Sequence, residues 1–468
     1  MRRSVGIVAG ACTALALAGT AGAVAWNKSG TEGRAVGSWH DAAERVPVSA
    51  DQRAMAGAAS SAPSASASPS ATGSSTPAGS AARQAERGTV EEKFEPRERV
   101  HESGKEEDGK QRVGELLDVE KLLGYGKPQR EVFHYPKASY VKLHFDRMAM
   151  LPGDYVTVSD PEGEESYRYE APKLLDRTAP VDKWAMSVTG DTAVLEVHRG
   201  GGSLVSSLLG KLGVRVDKVA KGYSRAEQAK VPVDEMAAPN RTGREESVCG
   251  SDESSDAVCY KSADPVAYTR SKAIARLLIN GTELCTGWRV GSKNRMLTNN
   301  HCFASSADAY ETEVWFNYQC AKCGGYEVFN PTKVWGDEVL ATNHTYDYTL
   351  FTVGNFDKIK KFGSLSLDTG RPAKGQELYV PQHPAGEPTR IAGRLGEKAG
   401  TCAVVDNAFD GYAQDTDVSY YCDTEGGSSG SPVLSRKSDK VVALHHFGGC
   451  PNSGVRADLL HEKLKSYL

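Results

Sequence analysis

The cysteines divide this chain into two unequal parts. Nine of the ten cysteines lie between Cys249 and Cys450, and the tenth, Cys12, lies close to the N-terminus. Such a distribution is typical of a disulfide framework in an oxidising compartment, and of metal or redox sites in a reducing one. The compartment therefore decides what the C-terminal half can fold into, and the N-terminus indicates that compartment.

The first 25 residues have the layout of a secretory signal peptide. Two arginines follow the initial methionine, an apolar run covers 5–18, and small residues occupy 21–25. We therefore predict that 1–25 is removed with Cys12, that the protein is secreted to the extracellular space, and that the remaining cysteines form disulfides. The alternative is an uncleaved anchor, because 4–26 reaches the roughly 20 residues that span a bilayer. No later segment is apolar enough for a further membrane contact.

Residues 26–112 are predicted to form a disordered linker. Every residue of 54–82 except Met55 is Ala, Ser, Pro, Gly or Thr, and 89–112 is dense in charges of both signs. Segments of this kind bury too little apolar surface to offset the entropy lost on ordering. The hydrophobic fraction of 39% for the whole chain agrees with an unpacked segment.

Short alternating runs follow the linker. Val141, Leu143 and Phe145 share one face of a predicted strand, and turn signals separate this run from similar ones over 130–199. We predict a small β-sandwich at 113–235, which also qualifies as a pro-region. Its sequence pattern resembles that of CUB-like jelly-roll modules over about 70 residues.

Three short motifs in the last 230 residues carry candidate chemistry. Thr-Asn-Asn-His-Cys ends at Cys302, Asp-Tyr-Thr-Leu begins at Asp347, and Gly-Gly-Ser-Ser-Gly-Ser-Pro-Val covers 426–433. A serine hydroxyl needs a nearby base to become a nucleophile, and the base needs a third group that orients it. His301, Asp347 and Ser429 supply these three groups.

The glycines around Ser429 indicate an oxyanion hole. They permit a tight turn that aims the backbone N–H groups of Gly427 and Ser429 at a developing negative charge. Asp337 and Asp368 are the alternatives to Asp347, but only Asp347 precedes an aromatic residue, threonine and leucine at the start of a predicted strand.

These motifs resemble the active-site segments of chymotrypsin-fold, trypsin-like serine endopeptidases, and most of all the secreted bacterial branch with the lysyl and glutamyl endopeptidases. The resemblance covers a protease domain at 245–468. It implies an all-β fold of two orthogonal six-stranded β-barrels, with His301, Asp347 and Ser429 in the cleft between them. In the digestive branch an aspartate precedes the nucleophile and pairs with a newly formed N-terminus. Ser428 stands there in this chain, so that mode of activation is not expected.

The resemblance also implies disulfide pairs. Cys285 precedes Cys302 by 17 residues, as expected for a bridge across the histidine loop, and the other implied pairs are Cys249–Cys450 and Cys402–Cys422. Cys259 would pair with Cys320 or Cys323, which leaves one thiol unpaired. The Cys-Ala-Lys-Cys run that ends at Cys323 also looks like half a zinc site. It lacks a second Cys/His pair at the required spacing, so we expect no metal.

Two residues give conflicting indications of specificity. Asp423 lies six residues before Ser429, where the trypsin branch places an acidic residue that selects Arg or Lys. His445 matches a histidine with which glutamyl endopeptidases bind acidic side chains. The alternatives are that Asp423 braces the loop and that His445 packs beside the cleft.

We therefore predict a secreted serine endopeptidase that acts through an acyl-enzyme on protein or peptide substrates, without a cofactor and as a monomer. The alternative is a catalytically silent binding or adhesion protein on a protease-like scaffold. An esterase of the α/β-hydrolase class is excluded by the chain order, because those enzymes place serine first. The net charge of -4 argues against a nucleic-acid partner.

Overall fold

The computed structural model of the protein describes residues 34–35, 110–171, 182–200, 212–231, 248–249, 252–325, 327–395 and 401–468. The predicted signal peptide at 1–25 and nearly all of the predicted linker lie outside these residues. We refer to 110–231 as the N-terminal unit and to 248–468 as the C-terminal unit, in both cases for the described residues only.

The strands of the first part of the chain, with one short helix, have the following bounds: β1 (Arg34–Ala35), β2 (Gln111–Arg112), β3 (Gly114–Leu123), β4 (Arg130–His134), β5 (Tyr140–Ala149), β6 (Tyr155–Ser159), β7 (Ser166–Glu170), β8 (Lys183–Trp184), β9 (Val188–Thr189), β10 (Thr192–His198), β11 (Gly213–Gly222) and α1 (Arg225–Gln228). One sheet has the order β1-β7-β6-β10-β4. The other has the order β3-β11-β5-β8, with β9 also paired to β5.

These two sheets share one hydrophobic core. Val158 and Leu195 of the first sheet lie in the same buried cluster as Leu143, Phe145 and Val219 of the second. Alternate residues of a strand point to opposite faces, so each sheet turns one apolar face towards this cluster. The N-terminal unit is therefore a two-sheet sandwich.

The elements of the C-terminal unit follow in chain order: β12 (Ser255–Asp256), α2 (Tyr260–Ala263), α3 (Pro265–Ser271), β13 (Ile274–Ile279), β14 (Glu283–Arg289), β15 (Met296–Thr298), α4 (Ser306–Tyr310), β16 (Glu313–Phe316), β17 (Thr332–Asn343), β18 (Tyr348–Val353), β19 (Leu378–Gln382), β20 (Arg390–Gly393), β21 (Val404–Phe409), β22 (Asp417–Tyr420), β23 (Pro432–Ser435), β24 (Val441–Phe447), β25 (Asn452–Arg456) and α5 (Ala457–Leu464). Short 3₁₀ turns lie at Ala257–Cys259, Phe356–Lys358, Lys360–Phe362 and Pro384–Gly386.

The C-terminal unit contains two rolled sheets. In the first, β13-β16-β17-β18-β15-β14 closes into a six-stranded barrel because β14 pairs back with β13. The second has the order β12-β20-β19-β23-β24-β25-β22-β21, and the Leu378 amide donates to the Cys402 carbonyl, which brings the start of β21 back to β19. Trp288 and Leu297 of the first sheet pack with Leu444 of the second in one buried cluster. The all-β architecture predicted from the sequence is confirmed.

The two units meet through a strand and through buried charges. β2 pairs with β14 and so extends the barrel sheet, although the sequence assigned Gln111 and Arg112 to the disordered linker. This assignment was wrong for these two residues. Their side chains are polar, which is typical of a linker, but their backbone pairs with another strand. Next to this contact, Lys142 Nζ lies 2.7 Å from the carboxylate of Glu313, and both side chains are buried.

Candidate active site

His301 and Asp347 form a close pair in the first barrel. His301 follows β15, and its Nδ1 lies 2.7 Å from Asp347 Oδ2. The backbone N–H of His301 donates to the other carboxylate oxygen, Oδ1, at 3.0 Å. Because both oxygens hold the same residue, the imidazole ring has one orientation, with Nε2 pointing away from the carboxylate.

Asp347 is held in its place by the turn between β17 and β18. Its φ of +38° lies in the left-handed region, which aspartate tolerates better than most residues but which still costs about 1 kcal/mol. The Asp347 N–H donates to the carbonyl of His344, and Asn299 Nδ2 donates to the Asp347 carbonyl at 2.8 Å. The side chain is 1% exposed, so the carboxylate is shielded from water.

His446 is a second imidazole partner of Asp347, and sequence reasoning missed it. Its Nδ1 lies 3.1 Å from Asp347 Oδ2, and its Nε2 lies 2.6 Å from Asp417 Oδ2. The hydroxyl of Ser453 donates to the same Asp417 oxygen at 2.9 Å. A buried chain of charged groups, formed by Asp347, His446 and Asp417, therefore lies behind His301.

The charges along this chain determine its protonation. Burial by itself would lower the pKa of His446, but Asp417 and Asp347 outweigh that effect and raise the pKa to about 9. Burial would likewise raise the pKa of Asp347, but His301 and His446 hold it well below its usual range. At neutral pH we therefore describe His446 as a cation that donates to two carboxylates.

Glycines shape the loop that carries Ser429. Gly427 has a φ of +94°, and a Cβ there would lie 2.6 Å from Leu284 Cδ2. Gly430 has a φ of +87°, and a Cβ there would collide with the Thr286 carbonyl. Only glycine suits a position that combines a left-handed backbone with such close neighbours. These two positions account for two of the three glycines in the motif at 426–433.

The same loop is clamped between two strands. Thr286 of β14 donates its N–H to the Ser429 carbonyl at 2.8 Å, and its hydroxyl donates to the Gly427 carbonyl at 2.9 Å. On the other side, the Gly430 N–H donates to the carbonyl of His445 in β24 at 3.0 Å. The Ser429 loop is thus fixed by both rolled sheets of the C-terminal unit.

Ser429 and His301 meet at the Cys285–Cys302 disulfide. Cys302 directly follows His301, and its Sγ lies 3.9 Å from the Ser429 carbonyl. Ser429 is 7% exposed and the His301 side chain 9%, whereas Asp347 is almost fully covered. The structure therefore places the Ser429 loop against the disulfide that follows His301, and the side chains of Ser429, His301 and Asp347 are all largely covered.

The two predicted specificity residues have other contacts. The Asp423 carboxylate accepts from the backbone N–H groups of Cys249 and Glu253, at 3.2 and 2.8 Å. His445 Nδ1 lies 2.8 Å from the hydroxyl of Tyr420. Burial, with the nearby histidines, lowers the pKa of His445 to about 3, so its ring is neutral. These contacts favour the alternatives in which Asp423 braces the loop and His445 packs beside the cleft.

The disulfides frame this site. The structure pairs Cys285 with Cys302, and the other bridges are Cys249–Cys450, Cys402–Cys422 and Cys259–Cys323. Cys320 is the free cysteine of the described part, and burial raises the pKa of its thiol to about 11. Because the sulfur of Cys323 is bonded to Cys259, the Cys-Ala-Lys-Cys run does not supply two metal ligands.

One family model and two curated relatives match parts of this chain. Residues 285–444 match the model of the trypsin-like peptidase domain. The chain is 38% identical over 231 residues to the secreted RxLR effector protein 73 of Plasmopara viticola, which covers 48% of this chain and 56% of that protein. It is 28% identical over 198 residues to the uncharacterized protein y4fB of Sinorhizobium fredii, which covers 38% of this chain and 28% of that protein. The chain thus spans little more than half of the first relative and less than a third of the second.

Solved protease structures are similar to part of this chain at low sequence identity. A Glu endopeptidase in complex with MPD is 20% identical, with a TM-score of 0.34, and covers 47% of this chain and 98% of its own. The HtrA-type protease AlgW with a tripeptide is 13% identical, with a TM-score of 0.33, and covers 44% of this chain and 63% of its own.

In the described part of the chain, every helix is too short or too polar to cross a bilayer.

Proposed function

We propose that this protein is a secreted serine endopeptidase that hydrolyses peptide bonds in proteins or peptides through an acyl-enzyme. His301 is the general base, Asp347 orients it, and Ser429 is the nucleophile. The observation that carries the proposal is the double contact of Asp347 with the ring and the backbone of His301, beside the loop of Ser429. The match of 285–444 to the trypsin-like peptidase domain supports the same reaction class.

The proposed reaction begins at Nε2 of His301. This atom is buried and has no hydrogen-bond partner among the described residues, so it is available to take the Ser429 hydroxyl proton. The serine oxygen then bonds to the substrate carbonyl carbon, and the N–H groups of Gly427 and Ser429 stabilise the oxyanion. When the intermediate collapses, the C–N bond breaks and His301 returns the proton to the leaving amine. Water then releases the acyl group by the same steps.

The charged chain behind His301 favours this cycle. During catalysis His301 becomes a cation, and the ionised carboxylate of Asp347 stabilises that cation. His446 offsets part of this negative charge, and Asp417 offsets the charge of His446. Asp347 therefore stays ionised while His301 takes the serine proton and passes it to the leaving amine.

The side chain preferred before the scissile bond belongs to the same proposal. Both oxygens of Asp423 accept backbone hydrogen bonds, and burial raises the pKa of this carboxyl, which weakens it as a partner for Arg or Lys. The neutral ring of His445 provides no positive charge for an acidic side chain. We therefore expect weak selection for a charged residue before the scissile bond. A cleavage profile on a peptide library tests this expectation.

Labelling by a fluorophosphonate tests the proposed nucleophile. We expect the purified full-length secreted chain to be labelled, and the Ser429→Ala and His301→Ala variants to remain unlabelled because they lack the nucleophile or its base. Ser431→Ala is the matched control, since this buried serine lies in the same loop and its hydroxyl has no partner among the described residues. A folded, unlabelled parent protein would contradict the proposal and favour the silent binding protein.

A further inference from the structure

One edge of β14 carries both the nucleophile and a strand of the N-terminal unit. The Val113 N–H donates to the Thr282 carbonyl at 2.8 Å, Gln111 pairs with Leu284, and the Thr286 N–H donates to the Ser429 carbonyl at 2.8 Å. Alternate residues of a strand direct their backbone groups to the same edge. β2 and Ser429 are therefore neighbours along one row of backbone groups.

The separation between the two is short. Leu284 and Thr286 are two residues apart, which corresponds to about 7 Å along a strand. The oxyanion loop reaches across this gap, because Leu284 contacts Gly427 closely enough to exclude a Cβ there. A chain segment that continued from Ser429 along this edge would meet β2 after about one or two residues.

β2 is firmly attached at this position. Lys110 Nζ lies 3.0 Å from Glu283 Oε2, and the two side chains are only 10% and 6% exposed. Val113, which follows β2, is 1% exposed and packs in a cluster with Leu284 and Trp315. The Tyr140 hydroxyl of the N-terminal unit donates to the Gly281 carbonyl at 2.8 Å. This strand is thus part of a packed junction between the units.

A buried charge network strengthens the same junction. Glu313 of β16 accepts from Lys142, and from the N–H and hydroxyl of Ser187, at 2.6–3.0 Å. Lys333 of β17 lies 2.7 Å from the carboxylate of Glu165. Buried ion pairs hold their geometry because separating the partners leaves charges without compensation. The N-terminal unit is therefore docked beside the catalytic cleft as a fixed body.

The chemistry indicates which half of a substrate approaches β14. In the proposed reaction His301 protonates the leaving amine, so the leaving group lies on the side of His301. Cys302, the next residue, is bonded to Cys285, which lies on β14 between Leu284 and Thr286. An extended leaving group would pair with the edge of β14 that faces Ser429, as peptides do when they add to a sheet. β2 already occupies that edge.

We propose that β2 determines specificity on the leaving-group side by restricting the cleft to about one or two residues beyond the scissile bond. This inference rests on the proposed peptidase chemistry, and it narrows the substrates from internal bonds of long chains to bonds close to a C-terminus. The favoured substrates are then peptides cut near their C-terminus, or chains with a short leaving group. The N-terminal unit acts here through the backbone of Gln111 and Arg112 and through the Lys110–Glu283 pair.

A peptide series tests the inference. All members share one acyl half and carry one, two, four or six residues after the scissile bond, and kcat/KM is measured with the full-length secreted chain. We expect kcat/KM to fall by about tenfold or more between two and four residues, because the third and fourth residues would overlap the space that β2 occupies on β14 and must turn away from the strand, and tenfold corresponds to about 1.4 kcal/mol. Gln111→Pro, which removes a backbone donor from β2, should restore the long peptides selectively.

Two further variants keep the test decisive if Gln111→Pro does not fold. Lys110→Ala loosens β2 and should raise kcat/KM severalfold for the long peptides alone. Lys121→Ala is its matched control, because it removes an exposed pair with Glu131 on a strand of the same unit outside this junction. It should leave every peptide unchanged.

The outcomes separate this inference from the proposed function. If no peptide in the series is cleaved, the peptidase activity itself is wrong. If kcat/KM is independent of leaving-group length, the enzyme stands and the role of β2 is wrong. If Lys110→Ala raises kcat/KM equally for all lengths, β2 is a general inhibitor, and the proposed length selection is also wrong.

Discussion

Replacing His446 with glutamine tests the buried chain of charges behind His301. Glutamine retains hydrogen-bonding capacity but cannot carry the positive charge that lies between Asp347 and Asp417. The pKa of His446 is raised from 6.5 in the unfolded chain to about 9 in the folded one, so protonation favours the folded state. One pKa unit corresponds to about 1.36 kcal/mol, which gives a contribution of about 3 kcal/mol.

The sign of the effect follows from the direction of this shift. The contribution is fully present below about pH 6.5, where His446 is protonated in both states. It is lost as the pH rises through about 9, where the folded protein releases the proton. His446→Gln should therefore be much less stable than the parent protein at pH 6, and this difference should shrink by about 3 kcal/mol towards pH 10.

Urea unfolding of the disulfide-intact chain, followed by tryptophan fluorescence from pH 6 to 10, measures this difference. In the parent protein, loss of the His446 proton at alkaline pH changes the charge beside Asp347, which lies behind His301. His446→Gln lacks this step, so its pH profile of kcat/KM should differ from that of the parent at alkaline pH. Parallel stability curves for the parent and the variant across this pH range would refute the reasoning. An unchanged pH–rate profile would show that His446 does not position the pair.

Three other substitutions test separate parts of the structure. Gly427→Ala places a Cβ against Leu284 on a backbone with φ of +94°. It should lower kcat by about 10²–10³, while circular dichroism shows that the fold persists. A near-normal kcat would contradict the proposed oxyanion hole. Glu313→Gln leaves Lys142 buried without its charge partner and should destabilise the protein by about 3–5 kcal/mol. A thermal melt measures this change, and an unchanged melting temperature would show that the junction does not depend on this pair. Asp423→Asn should change the selection for Arg over Ala by less than about threefold in a peptide-library profile, and a collapse of Arg cleavage would restore Asp423 as a pocket residue.

The sequence predicted the candidate site from short stretches of adjacent residues. The glycine pattern around Ser429 predicted a tight loop, and Gly427 and Gly430 both adopt left-handed backbones with close neighbours. The Asp-Tyr-Thr-Leu context singled out Asp347 over Asp337 and Asp368. In each case a few adjacent residues carry the information, so it can be recognised without knowledge of the fold.

His446 shows where this reasoning stops. The sequence contains the pair His445–His446, and only His445 has a role predicted from the sequence. Adjacent residues of a strand point to opposite faces, so the pairing of β24 with β25 decides which ring reaches Asp347. Asp417, the other partner, comes from β22 and is not marked by any motif. The doublet was the available signal, but it does not say which histidine faces the carboxylate.

By itself, the sequence determined the all-β fold class and the distribution of cysteines, because turn chemistry and alternating patterns are properties of neighbouring residues. Only the tertiary structure decided that Cys259 bonds Cys323, that His446 joins Asp347 to Asp417, and that β2 lies beside the Ser429 loop. These results depend on which distant segments meet. Backbone pairing and buried charge contacts leave little trace in local composition, so polar residues such as Gln111 and Arg112 read as linker until their partner strand is known.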